Sequence, residues 1–232
     1  MVRRMDGDFT PRSFSGSGLA CRRGGRLVFT GLAFGVAPGG ALVLRGPNGS
    51  GKTTLLRLMA GLTPSTAGAL AWDNVPIDDP EAHAAHLRFI THLDAIKPAF
   101  TVTENLGFWM SLWRGRVDDA NLARAVAAFD LTRLAAFPAR LLSAGQRHRL
   151  ALARLLVAPA PLWLLDEPGN ALDAPSRESL ARAIAAHRAQ GGMVIVASHE
   201  ATFVDGGETL DLGVFTPKTA VHWSEESEEA QI

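Results

Sequence analysis

Apolar residues along the chain fall into short runs separated by glycine, proline and charged positions. Residues 26–30 and 31–36 read as short strands around a turn, and A-L-V-L-R at 41–45 reads as a buried strand. A glycine-rich loop follows at 46–51. Residues 52–61 then carry Leu55, Leu56, Leu58 and Met59, a helical pattern that Gly61 is placed to stop. Residues 69–72 and 87–91 are further strand candidates. From Val102 to about Ala160 the pattern turns helical, with breaks at Gly115 and Pro138. L-W-L-L at 162–165 is apolar at every position, as a strand covered on both faces is, and M-V-I-V-A-S at 193–198 reads the same way. Between them, 178–189 is an Ala-rich helix. Residues 1–17 read as a loose lead-in with regular patterning from Gly18, and 216–232 as an exposed acidic tail. Strands and helices alternate around a helical insert at about 102–160. That predicts one α/β domain over 18–215, with a parallel sheet and a helical subdomain.

Composition narrows the function classes. The 232 residues allow one domain, or one domain with a subdomain. With 47% hydrophobic and 20% charged residues, a disordered chain is excluded. Lys plus Arg and Asp plus Glu are both 23, so no basic excess exists to hold nucleic acid by bulk charge. A single cysteine, Cys21, excludes an internal disulfide framework, a CxxCH haem attachment and a multi-cysteine zinc site; it reads as a small packing residue in a reduced, cytosolic setting. No stretch approaches the roughly 20 apolar residues of a membrane span. M-V-R-R-M-D-G-D lacks the apolar core of a secretory signal. The chain is therefore not expected to insert into a membrane by itself, although it can dock on a membrane protein.

Gly46-Pro47-Asn48-Gly49-Ser50-Gly51-Lys52-Thr53 matches G-x-x-x-x-G-K-[ST], between an expected strand and an expected helix. Glycines let successive backbone N–H groups turn toward a polyphosphate, and the helix N-terminus faces the same anion. Lys52 is placed for the outer phosphates and the Thr53 hydroxyl for Mg²⁺, with Thr54 beside them. Only three lysines stand against twenty arginines, so a lysine at this position is not compositional noise. Asp166 and Glu167 end the apolar run at 162–165, the strand end at which ligands bind in parallel α/β sheets. There Asp166 suits a Mg²⁺ shell and Glu167 suits polarising a water. Leu142-Ser143-Ala144-Gly145-Gln146 precedes a helical pattern; S-x-x-Q is a capping box, and a capped helix N-terminus is also a phosphate-binding surface.

The phosphate loop, then L-S-x-G-Q, then a strand ending in D-E, then His199 after a strand, resembles the ATP-binding cassette family. Ser143 lies 23 residues before Asp166 and His199 lies 33 after it. The resemblance spans about 18–215. It implies a P-loop NTPase fold with a parallel core sheet, an antiparallel β-subdomain and an inserted helical subdomain, binding ATP and Mg²⁺. It further implies a head-to-tail pair of cassettes, in which Ser143, Gly145 and Gln146 of one copy meet the ATP held by the phosphate loop of the other. Glu167 is implied as general base, His199 as the switch residue, and Asp173 as part of the interface loop.

Two positions depart from the family pattern. His92 stands nine residues before T-V-T-E-N-L, where the family has a glutamine that contacts Mg²⁺; a solvent-facing loop histidine is the other reading. Arg23 stands where the family stacks an aromatic on adenine; a guanidinium can stack on a purine, and an exposed basic loop is the other reading. The strings at 21–29 and 92–106, with L-S-A-G-Q, are similar to the ATPase subunit of the bacterial cytochrome c maturation haem exporter. That resemblance implies integral-membrane permease subunits as partners, a peripheral place on the cytoplasmic face of the inner membrane, and haem export or release of a haem-loaded chaperone as the work done. A cassette for another cargo is the alternative, with a DNA-repair or ribosome-type cassette further off. Glu81, His83 and His86 read as a solvated helix or loop.

Overall fold

The computed structural model describes residues 9–91, 93–198 and 203–217. Two sheets lie in it. The antiparallel one contains β1 (Phe14–Arg23), β2 (Arg26–Val36), β4 (Ala67–Trp72) and β5 (Val75–Pro76), in the order β2-β1-β4-β5. The parallel one contains β3 (Ala41–Arg45), β6 (Leu87–Ile90), β7 (Leu162–Asp166), β8 (Met193–Ala197) and β9 (Glu208–Asp211), in the order β6-β7-β8-β3-β9. The helices are α1 (Lys52–Met59), α2 (Pro80–Ala85), α3 (Val102–Arg114), α4 (Asp119–Ala128), α5 (Ala144–Val157) and α6 (Ala174–Ala189). The expected parallel sheet, antiparallel sheet and helical insert are all present.

The wholly apolar strands are explained by the two layers they separate. On one face, Leu42, Leu44, Leu162, Leu164 and Ile195 pack with Leu55 and Met59 of α1 and with Phe14, Leu19 and Phe29 of the antiparallel sheet. On the other, Val43, Trp163, Leu165, Val194 and Val196 pack with Leu106 and Met110 of α3, Leu152 of α5 and Leu180 of α6. Alternate residues of one strand thus serve opposite cores, and neither face is left for polar side chains. A buried leucine such as Leu164 is worth about 2–5 kcal/mol against alanine.

Several expectations are corrected. Residues 26–36 form one strand, because pairing with β1 continues past Gly31 (Leu19 with Leu32, Cys21 with Phe29) and the extra residues are absorbed as register shifts between the two strands. The chain reverses instead at Gly24 and Gly25, with φ of 54° and 74°. Regular structure starts at Phe14 rather than near Gly18: Phe14 is buried against Trp72, with ring centroids 4.8 Å apart, and Arg12 pairs with Asp73 at 2.9 Å. The short, exposed strands β5 and β9 carry no apolar pattern to reveal them. His83 is not solvated. Trp72 Nε1 donates to its Nδ1 at 3.1 Å, which leaves Nε2–H to donate to the Met59 carbonyl at 2.7 Å, and burial lowers its pKa. Cys21 is buried, as expected of a packing residue, and burial raises its thiol pKa.

The helical insert ends its pieces where the sequence breaks. Thr101 and Glu104 form a capping box that starts α3, and Gly115 ends it at φ 69°. Pro138 sits in the connection before α5, paired with Thr101 across an isolated bridge. Among the described residues no helix is long and apolar enough to cross a membrane.

Candidate nucleotide site

The loop between β3 and α1 turns on glycines that no other residue replaces without conflict. Gly46 has φ 137°, and a Cβ there would meet Ser50 Oγ at 2.7 Å; Gly51 has φ 100°, and a Cβ there would meet Val28 Cγ1 at 2.6 Å. The first turn of α1 contains no acidic residue, so its positive end is left for an anion. Ser50 Oγ is buried and has no hydrogen-bond partner among the described residues, an orphaned polar group inside the cradle. Lys52 Nζ donates to the carbonyls of Gly46 at 2.8 Å and Pro47 at 3.3 Å. The ammonium therefore rests on the rim of the loop.

The carboxylates arrive from β7. Asp166 is its last residue, paired in register with Ala197, and is only 4% exposed. Thr53 Oγ1 donates to Asp166 Oδ2 at 2.9 Å and approaches Oδ1 at 3.2 Å. Glu167 follows with φ 50°, its backbone N–H donating to Ala197 O at 2.8 Å. This sharp turn takes the chain off the end of the sheet, so adjacent acids on one strand end differ in burial and direction.

A cleft of about 410 Å³ joins these groups: Arg23 and Arg26 of the β1–β2 hairpin, Lys52 and Thr53 of the loop and helix, and Asp166 and Glu167 of the sheet. Cations and carboxylates both line it, which suits a polyphosphate with its cation. The residues present fit both groups. A glycine cradle and a helix N-terminus serve phosphates, and a hydroxyl with one carboxylate is the sparse oxygen set that Mg²⁺ takes when phosphates complete its shell.

Ser143, Gly145, Gln146 and Asp173 do not line that cleft. Ser143 and Gln146 form the capping box of α5: Ser143 Oγ accepts from Gln146 N–H at 3.2 Å, and Gln146 Oε1 accepts from Ser143 N–H at 2.9 Å. Gly145 packs closely, since a Cβ there would meet Ala171 O at 3.3 Å. Asp173 caps α6, and its bonds to Ser176 lower its pKa, the side-chain bond most. Ser143 and Asp173 are both exposed. His92 and His199 lie outside the described residues. Arg26, Leu27, Val28 and Thr216 also line the cleft and were missed, because none belongs to a motif and only tertiary packing brings them there. Thr216 stands at the expected start of the tail.

Comparison with known proteins identifies the family. The profile of the ABC transporter family matches residues 29–170. The cytochrome c biogenesis ATP-binding export protein of Paramagnetospirillum magneticum is 51% identical over 210 residues, covering 88% of this chain and 95% of that one. The protein of the same description from Rhodospirillum rubrum is 50% identical over 208 residues, covering 89% and 88%. An ABC transporter ATP-binding protein from Pyrococcus furiosus, at 21% identity, superimposes with a TM-score of 0.77 over 88% of this chain and all (100%) of that one, a likeness of fold. With a profile match over more than half its length and relatives half identical over most of it, the chain belongs to the ABC transporter family and is an ATP-binding ATPase of that family.

Proposed function

We propose that this chain is the ATP-hydrolysing subunit of a membrane export complex serving cytochrome c biogenesis, where hydrolysis drives haem export or release of a haem-loaded chaperone. Half identity to export proteins of that description, along nearly their whole length, is the observation that carries this reading.

Each part of the cleft then has a task. Lys52 leaves the Gly46 and Pro47 carbonyls for the outer phosphates, while the loop amides hold the rest of the chain of phosphates. Arg23 lies flat on the purine. Thr53 and Asp166 would hold Mg²⁺, with His92 near them by resemblance; the ion neutralises charge on the phosphates when bound. The Glu167 carboxylate takes a proton from water as its oxygen attacks the γ-phosphorus and the bond to the ADP oxygen breaks. His199 is assigned its place near the γ-phosphate by resemblance. Ser143, Gly145 and Gln146 stand outside the cleft of their own chain, so their phosphate-binding role requires a second copy placed head to tail. Asp173 belongs to the same interface.

The partners expected are permease subunits in the inner membrane, with this chain peripheral on its cytoplasmic face. Exposed apolar side chains support such docking: Leu93 and Phe100 on the segment leading into the helical insert, Leu141 on a 3-10 turn within it, and Phe108 and Leu112 one turn apart on α3. The neutral charge balance gives no support to a nucleic-acid partner. Purification from native membranes tests the proposal. Integral-membrane proteins that carry haem-handling activity should co-purify; recovery with ribosomes, DNA or an unrelated permease would overturn it.

A further inference from the structure

The turn that carries Glu167 is held from both sides. Glu167 occupies the left-handed region, which is unfavourable for a non-glycine residue, so its neighbours must fix it. On the sheet side, its N–H is tied to Ala197 O. On the opposite side, the next carbonyl, that of Pro168, accepts from His148 Nε2 at 2.9 Å. His148 lies in the second turn of α5, the helix capped by Ser143, and is 8% exposed.

The second ring nitrogen also meets an acceptor. His148 Nδ1 lies 3.1 Å from Asp94 Oδ1. A neutral imidazole has one N–H, so serving both the carbonyl and the carboxylate takes both N–H groups. Asp94 is fixed in turn, its carbonyl accepting from Arg154 Nη1 at 2.7 Å, and the Arg154 guanidinium lies 4.1 Å from the Trp109 ring centroid on α3. One side chain thus joins three parts of the ATPase. These are the turn bearing Glu167, the helix behind Ser143, and the segment after His92 that leads into the helical insert.

We propose that His148 is a positioning residue for hydrolysis. Its two N–H bonds set the Glu167–Pro168 turn against the Asp94 segment, so movement of that segment is transmitted to the Glu167 carboxylate. His148 does not line the nucleotide cleft, and its loss is expected in turnover rather than in ATP binding. The proposal rests on the reading of Glu167 as general base.

Steady-state hydrolysis, equilibrium ATP binding and thermal melting of the full chain test it. His148→Phe keeps a ring and removes both donors; kcat should fall about 10-fold or more, with KM for ATP within about 2-fold. His148→Arg supplies two donors and should recover most of the rate. Asp94→Ala removes one partner but keeps the carbonyl bonded to Arg154; it should reproduce the loss, and the His148→Phe/Asp94→Ala double variant should be no worse than His148→Phe. If His148→Phe melts early, the Asp94→Ala and His148→Arg pair decides. Wild-type kcat in Asp94→Ala, or no recovery in a folded His148→Arg, overturns the proposal. Glu167→Gln is the control. Its loss of hydrolysis with unchanged rates in the His148 and Asp94 variants refutes the positioning role alone, whereas retained hydrolysis in Glu167→Gln refutes the base.

Discussion

Thr53 Oγ1 and Asp166 Oδ2 lie 2.9 Å apart, although 113 positions separate them in the chain. The hydroxyl stands on the first turn of the helix after the glycine loop, and the carboxylate stands at the end of a buried central strand. Packing of α1 under the sheet brings them together, so the core that stabilises the fold also assembles the site.

This pair should govern the metal dependence of hydrolysis. Asp166→Asn keeps shape and one acceptor but removes the charge. Turnover should fall about 100-fold or more, and the Mg²⁺ concentration giving half-maximal rate should rise. Titration of ATPase activity with Mg²⁺ at fixed ATP checks it; an unchanged Mg²⁺ profile would remove Asp166 from the metal shell.

Lys52→Ala should weaken ATP binding. A charge-assisted hydrogen bond is worth about 1.5–3 kcal/mol, which corresponds to roughly 10- to 150-fold in affinity. Equilibrium binding of ATP to the purified chain reads this directly. The loop itself should persist, since it is shaped by Gly46 and Gly51 rather than by the ammonium.

Ser143→Arg should separate binding from turnover. Ser143 is exposed and outside the nucleotide cleft of its own chain. A bulky cation there should leave ATP binding to the monomer within about 2-fold and abolish both ATP-dependent dimerisation and hydrolysis. Loss of ATP binding by the monomer would contradict the sandwich arrangement.

Stability should fall on mild acidification. His187 is stacked on Trp163, with ring centroids 3.9 Å apart and planes 5° from parallel, and burial lowers its pKa to about 4. His83 is shifted in the same direction by its burial. In the unfolded chain both protonate near pH 6.5, so below that pH the unfolded state binds more protons and stability declines toward the folded-state value. For His187 the loss reaches on the order of 3 kcal/mol by pH 4. Melting temperature against pH should therefore fall between pH 6.5 and 4, and less steeply in His187→Phe.

Sequence legibility followed the range of the forces involved. The two-faced strands β7 and β8 were plain, because covering both faces leaves no polar position. The phosphate loop was plain because its glycines and Lys52 act within a few residues of one another. β9 was invisible; it is a short exposed strand whose pairing with β3 depends on partners distant in the chain. His83 misled because every other residue of its short helix is exposed, and Trp72 and Met59 make a buried place for it. His148 carried no motif at all, since its meaning lies in Asp94 and Pro168, which tertiary structure supplies.

The role of Glu167 is the centre of the account, and one variant addresses it. Glu167→Gln retains the size and hydrogen bonding of the side chain and removes its capacity to take a proton. ATP binding should stay near the wild-type value while single-turnover hydrolysis drops by about 100-fold or more, and the ATP-bound chain should elute as a stable dimer in size-exclusion chromatography. Hydrolysis close to the wild-type rate, in a folded Glu167→Gln protein that binds ATP, would contradict it.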